Sequence, residues 1–350
     1  MSLLTETVQQ IAEERIYCSA IQVSVRGRDM DCDLAFGELS ENVPIEKNTI
    51  FNVVCATKPI LALAIGILIG NQSVDPECSV AKLVDDRTSP FSSADFNLWE
   101  VLNHTAGLAN PSLLEVNLCP IVGRTDLVRE SMKNRKNGYS EYTFQLILAQ
   151  IIEHTSGISA AEFLRREVLS PLNLTDEVRY SFNEEELIAW QPRIGYSVLG
   201  LPMSSLPLLH DRSPFIASDD RVLMGAYSSA RALCQLYESV GNVLRGHTVE
   251  GLPGPETLHE MLRHVSPLSD DPVLHRPAQF AGGFMLSLSG QGYGRVSASA
   301  LGHTGFNGMS WGFYDPEHEV AVAAITNGIV HTHEDLDFLR SRILASIIPV

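Results

Sequence analysis

No apolar run in this chain is long enough to cross a bilayer. The longest, around Ile60 to Ile69, is about half of the ~20 residues a spanning helix needs. The opening stretch, MSLLTETVQQIAEERIYCSA, has neither a basic nor an apolar leader segment, so a cytoplasmic location is expected. Six cysteines stand at 18, 32, 55, 78, 119 and 234, with no C-x-x-C pair and no Cys/His cluster at zinc spacing. That excludes a zinc ribbon and leaves free thiols as the expectation, five of them reading as small buried hydrophobes. Positive charge is scarce: 25 Lys and Arg face 42 Asp and Glu, a formal net charge of −17. A nucleic-acid groove and an anionic membrane surface are therefore not expected partners. Internal repeats and low-complexity tracts are also missing.

What is present is an ordinary globular composition, 45% apolar and 19% charged, over 350 residues. That is enough for one large domain or two closely packed ones. Ala20 to Val25 alternates, turns at Gly27 and resumes from Cys32 to Phe36, the pattern of a hairpin after an N-terminal helix. Pro59 suits the first turn of a helix starting at or just after Cys55, apolar nearly all round and so buried. Phe144, Leu148, Ile151 and Ile152 share one helical face that stops at Gly157, and Ser159 with Glu162 opens the next helix. Short apolar segments at 280–288, 294–301, 310–314 and 320–326 read as strands, closed by a helix over about 336–348. Strands, then helices, then strands imply an α+β layer formed by both chain ends. The expected division is a sheet domain of residues 1–75 and 276–350, with 76–275 an inserted, mainly helical domain and the active site between them.

Three segments carry chemistry. In Cys55-Ala56-Thr57-Lys58 the thiol lies at a helix N-terminus, where the macrodipole favours an anion. The lysine one turn on shares its face, so the amine can reach the sulfur. Taken alone, a cysteine on an apolar helix is more often plain core. Tyr139-Ser140-Glu141 precedes a helix, and such a tyrosine relays protons if a lysine holds its pKa down. His303-Thr304-Gly305 follows a strand, and its glycine lets backbone approach a ligand closely. Leu102-Asn103-His104-Thr105-Ala106-Gly107-Leu108 by itself is a loop with a structural histidine. His331, His333, Glu334 and Asp335 match no standard ligand spacing and read as a solvated turn.

Together these segments resemble the β-lactamase-like serine hydrolases: class C β-lactamases, penicillin-binding proteins, their esterase relatives and related acyltransferases. The pattern there is S-x-x-K, then Y-x-N, then K-T-G or H-T-G. Leu102 to Leu108 looks like the intervening L-x-H-x-S-G-L stretch, with Ala106 for the serine. The likeness continues through Ile152 to Gly157, Pro171-Leu172, Gly225 to Ser229 and Asp315-Pro316-Glu317, nearly the whole chain. It implies a β-lactamase/transpeptidase-like fold, an antiparallel sheet flanked by helices with the helical insertion. It also implies that Cys55 attacks an ester, thioester or amide carbonyl while Lys58 and Tyr139 handle the proton. The backbone N–H groups of Cys55 and Phe306 would form the oxyanion hole. Glu141, His303, Thr304 and Gly305 would meet a small-molecule or carrier-bound acyl substrate. No metal or organic cofactor is implied.

Two departures fall at the centre of the pattern. Cysteine replaces the nucleophilic serine, and Glu141 puts a carboxylate where a neutral amide is usual. A carboxylate near Lys58 would favour the charged ammonium and hence a preformed thiolate–ammonium pair. His303 in place of lysine weakens the case for a β-lactam, whose carboxylate favours a fixed cation. The favoured expectation is S-acyl transfer in small-molecule (natural-product) biosynthesis. A hydrolase of the esterase or β-lactamase type, with Cys55 either native or engineered from serine, is one alternative. A non-catalytic protein that keeps the cleft for binding is another.

Overall fold

A computed structural model of the chain describes residues 2–109, 132–133, 135–195, 225–305, 308–328, 330 and 332–348. The hairpin expected near the N-terminus forms from β1 (Ala20–Gly27) and β2 (Asp31–Ser40), followed by β3 (Val43–Pro44). Short strands β4 (Phe51–Asn52), β5 (Val178–Arg179) and β6 (Tyr227–Ser228) make a small sheet of their own, in the order β4-β6-β5. The second half supplies β7 (Ser269–Asp271), β8 (Arg276–Ala281), β9 (Phe284–Leu286), β10 (Leu301–Thr304), β11 (Ser310–Asp315) and β12 (Val320–Thr326). The main sheet runs β3-β2-β1-β12-β11-β10-β9-β8-β7, so the first and last long strands pair at its middle, Val23 opposite Ala324. Its pairs are antiparallel.

Helices cover both faces of this sheet, which is why β12 is buried at every position. Val320, Val322 and Ala324 point to the side covered by α1 (Leu3–Glu14) and the C-terminal helix α5 (His333–Ala345). Ala321, Ala323 and Ile325 point the other way, against a core that includes α2 (Lys58–Gly70), α3 (Thr143–Ser156) and α4 (Ala230–Leu244). This is the two-residue period of a strand, with both faces apolar because both are covered. Glycines let α4 sit close. A Cβ on Gly312 would come within 2.6 Å of the Tyr237 ring, and one on Gly241 within 2.3 Å of the Tyr314 ring.

The α+β class, the antiparallel sheet and the buried apolar α2 agree with expectation, as does the α3 stop at Gly157 in a left-handed conformation. Several boundaries differ. The segment expected as one strand over 280–288 is broken by Gly282 and Gly283, both at positive φ, into the β8–β9 hairpin. Residues 294–301 are not a strand; Leu288–Gln291 forms a 3-10 turn and the strand begins at Leu301. Strand β7 lies within the span expected to be helical, because it pairs with β8 at the sheet edge. His333, Glu334 and Asp335 form the first turn of α5, capped by Thr332. Most of residues 109–135 and all of residues 198–222 fall outside the described residues.

Candidate active site

The turn that carries Cys55 is held in an unfavourable conformation. Val54 has φ 48°, the left-handed region that a β-branched residue rarely enters, at a cost on the order of 1–3 kcal/mol. Its surroundings enforce it. Asn52 Oδ1 accepts from the Val54 N–H at 3.0 Å, and the Thr57 hydroxyl donates to the Val54 carbonyl at 2.7 Å. Gly225 lies so close that a Cβ there would meet the Val54 carbonyl oxygen at 2.2 Å. From the sheet, the Ser310 hydroxyl donates to the neighbouring Val53 carbonyl at 2.9 Å. Cys55 therefore sits in a 3-10 turn, Val54–Thr57, immediately before α2, with 8% of its surface exposed.

Lys58 is fully buried, and its Nζ reaches three groups. It donates to the Glu141 main-chain carbonyl at 2.6 Å and to Gln145 Oε1 at 2.8 Å, and it lies 3.3 Å from Cys55 Sγ. Burial pushes its pKa down, and the charges of Cys55 and Glu141 offset this only in part. The Glu141 carboxylate acts in the expected direction, favouring the ammonium, but burial outweighs it. Glu141 holds the amine through its main chain, and desolvation outweighs its charge, so Lys58 loses its proton more readily than an exposed lysine.

The Tyr139 loop is pinned from two distant parts of the chain. The Tyr139 N–H donates to Asp271 Oδ2 at 2.7 Å, and the Ser140 N–H donates to His104 Nδ1 at 3.0 Å. The His104 ring lies 4.9 Å from that of Tyr139 and 4.5 Å from that of Phe280. Lys58 Nζ sits 4.9 Å from the Tyr139 ring centroid. The Tyr139 hydroxyl is buried and near enough to Cys55 to interact with the thiol, though it makes no hydrogen bond of good geometry among the described residues. Its pKa is driven well above that of an ordinary phenol, first by burial and then by the charge an ionised Cys55 carries. That reverses the expectation of a phenol held down by lysine. The phenol therefore keeps its proton.

The strand-end motif is more enclosed than expected. His303 is fully buried, and its Nδ1 lies 2.8 Å from the Thr304 carbonyl. A carbonyl can only accept, so Nδ1 carries the hydrogen and Nε2 keeps a bare lone pair. Burial, aided by the charge of Lys58, pulls its pKa down to about 3, so the ring is neutral. Thr304 faces inward: its hydroxyl accepts from Arg340 Nη2 at 2.7 Å, and Arg340 is itself buried over the Tyr293 ring. A Cβ on Gly305 would strike Ser310 Oγ at 2.1 Å and the Val53 carbonyl at 2.6 Å. Packing of β11 against the Cys55 turn thus already requires the glycine. Phe306, the expected second oxyanion donor, lies outside the described residues.

The fold therefore brings together Cys55, Lys58, Tyr139, the Glu141 main chain and His303. Gln145, Asp271, His104 and Arg340 complete the surroundings and were not legible as site residues. Gln145 left a trace as a polar residue beside Phe144 on a largely apolar helix, and His104 as the histidine of the Leu102–Leu108 stretch, read there as structural. The cysteines divide differently from expectation. Cys18 and Cys234 are buried, with thiols pushed up to about 12, but Cys32 and Cys78 are half-exposed and Cys119 is outside the described residues. No cluster of three metal-ligating side chains occurs among the described residues. None of the described helices is long and apolar enough to cross a membrane.

The order Cys55-x-x-Lys58, Tyr139 and His303-Thr304-Gly305 thus converges in space, and the pattern of the family described as Beta-lactamase matches residues 4–344. The chain belongs to that family. Over 190 residues it is 26% identical to a penicillin-binding protein of Bacillus subtilis (strain 168), a match covering 50% of this chain and 41% of that protein. Among solved structures it is similar to a family VIII carboxylesterase, with a TM-score of 0.74 and 17% identity over 98% of this chain and 96% of the other. It is also similar to EstCE1, described as a hydrolase with promiscuous acyltransferase activity, with a TM-score of 0.71 and 17% identity over 97% of each chain. At these identities the structural likeness establishes the β-lactamase/transpeptidase-like fold.

Proposed function

We propose that the protein is an acyl-transfer enzyme working through an S-acyl intermediate on Cys55. The observation that carries this reading is the Cys55–Lys58 pair: sulfur and amine 3.3 Å apart, with the amine buried and its pKa lowered. Lys58 takes the thiol proton as the sulfur attacks the donor carbonyl. The oxyanion is met by the Cys55 backbone N–H and, by family likeness, that of Phe306. Collapse expels the leaving group, which takes a proton from Tyr139, and Lys58 restores that proton to the phenol. In the second half, Lys58 removes the acceptor's proton, the acceptor attacks the thioester, and Cys55 departs and recovers the proton.

A thioester donor suits this site, since exchange between thiol and thioester is nearly balanced in energy. The neutral His303 lacks the fixed charge that a β-lactam carboxylate favours, so a small-molecule or carrier-bound acyl group is the better substrate. We place the reaction in small-molecule biosynthesis in the cytoplasm, in a cleft between a sheet domain and a helical insertion. The similarity to a family VIII carboxylesterase favours a second reading, hydrolysis, with water as acceptor.

Intact-mass spectrometry after incubation with S-phenyl thioacetate or p-nitrophenyl acetate tests the proposal. An acetyl adduct that maps to Cys55, and that added amines or thiols discharge faster than water does, is expected. No adduct with either donor would leave a binding protein. A Cys55→Ser variant that turns over faster than the parent would point to a cysteine engineered from serine.

A further inference from the structure

We infer that Gln145 is a positioning residue of the nucleophile pair, aiming the Lys58 nitrogen at Cys55. The inference rests on the acyl-transfer reading but comes from a separate count of hydrogens. A neutral amine has two N–H bonds and one lone pair; an ammonium has three N–H bonds. Two of the three groups around Lys58 Nζ, the Glu141 carbonyl and Gln145 Oε1, are oxygens that can only accept. They take both hydrogens of the neutral amine, and the lone pair is left facing Cys55 Sγ. When the thiol proton crosses, the third N–H points back at the sulfur. The transfer from sulfur to nitrogen thus needs no rotation of the amine.

Gln145 has no other evident reason to be polar. It is 1% exposed, on α3 where that helix packs against α2, with Phe144 and Leu148 buried beside it. A buried amide is costly unless paired, and Lys58 is its pair. The Glu141 carbonyl lies just before the first helical bond, in which the Leu146 N–H donates to the Tyr142 carbonyl at 3.2 Å. Residues 141 and 145 stand one helical turn apart, so one end of one helix holds both hydrogens of an amine carried by another. Without the Gln145 oxygen, one hydrogen of the neutral amine has no acceptor and the lone pair is free to turn from the sulfur.

The test compares the wild type with Gln145→Leu and Gln145→Asn. The first removes the oxygen; the second withdraws it by one methylene and retains a polar side chain should the leucine variant fail to fold. The first readout is the pH dependence of Cys55 alkylation by iodoacetamide, followed by peptide mapping. Loss of an acceptor destabilises the ammonium partner of a thiolate, so the half-maximal pH should rise by about one unit in Gln145→Leu and by less in Gln145→Asn. The second readout is the rate of acetylation by p-nitrophenyl acetate. It should fall about ten- to a hundred-fold in Gln145→Leu, with half-saturation changing less than about twofold. A purely structural role would lower the melting temperature and leave both readouts unchanged, which would overturn the inference. If p-nitrophenyl acetate gives no adduct while the alkylation profile still shifts, the acyl-transfer reading fails and the positioning role stands.

Discussion

Cys55 and Lys58 lie three residues apart at the start of one helix, whereas Tyr139 is held by groups far along the chain, Asp271 through its own N–H and His104 through that of Ser140. The first arrangement survives as long as α2 starts where it does. The second depends on the sheet edge, the 104 loop and α3 all being in place. A helix turn supplies proximity cheaply, but the environment that gives proximity a chemical consequence, a dry amine and a protonated phenol, comes from long-range packing.

Substitutions can separate the two halves of the site. The largest effect is expected from Lys58→Met, which removes the proposed base but fills the same buried space. Acetylation of Cys55 should fall by about a thousand-fold or more, with the melting temperature unchanged or raised. A loss below tenfold in stopped-flow acylation would show that proximity on α2 is not functional.

Acid should act chiefly on the long-range half. His303 titrates at about 3 in the folded chain against an ordinary 6.5, and His104 is also lowered. Between those values the unfolded chain binds more protons than the folded one. Stability is therefore fully present above pH 6.5 and declines as the pH falls toward 3, by on the order of 3–5 kcal/mol for His303. Urea midpoints measured from pH 7 to pH 4 should drop, and His303→Gln should flatten that slope. An unchanged midpoint would mean that the histidine is solvated.

Asp271→Ala should be next in size. The carboxylate accepts from the Tyr139, Val273 and Leu274 N–H groups. Losing it should cost about 2–4 kcal/mol in denaturant unfolding and slow acylation about tenfold or more as Tyr139 shifts. If only stability falls, Tyr139 does not depend on this anchor. Ser310→Ala, which removes one hydrogen bond to Val53, should have the smallest effect, about 1 kcal/mol. Its acylation rate should remain within about threefold, because Asn52, Thr57 and Gly225 still hold the turn; a larger loss would move the nucleophile turn into the long-range half.

Legibility followed the same line. Apolar periodicity marked α2, α3 and the first hairpin correctly, because these patterns are local. It misplaced the strand before His303 and merged β8 with β9, because glycines and a 3-10 turn redirect the chain there. Gln145, Asp271 and His104 carried little or no local signal, as each acts only where another segment meets it.

The sequence alone determined the order of the motifs and the one-turn spacing that lets Lys58 reach the Cys55 thiol. Those are properties of composition and helix geometry. Only the tertiary structure decided the protonation tendencies of the site: an amine that burial pushes toward neutrality despite Glu141, a phenol kept protonated, and an imidazole kept neutral. Each follows from desolvation by segments distant in sequence, and no local pattern encodes how dry a side chain will be.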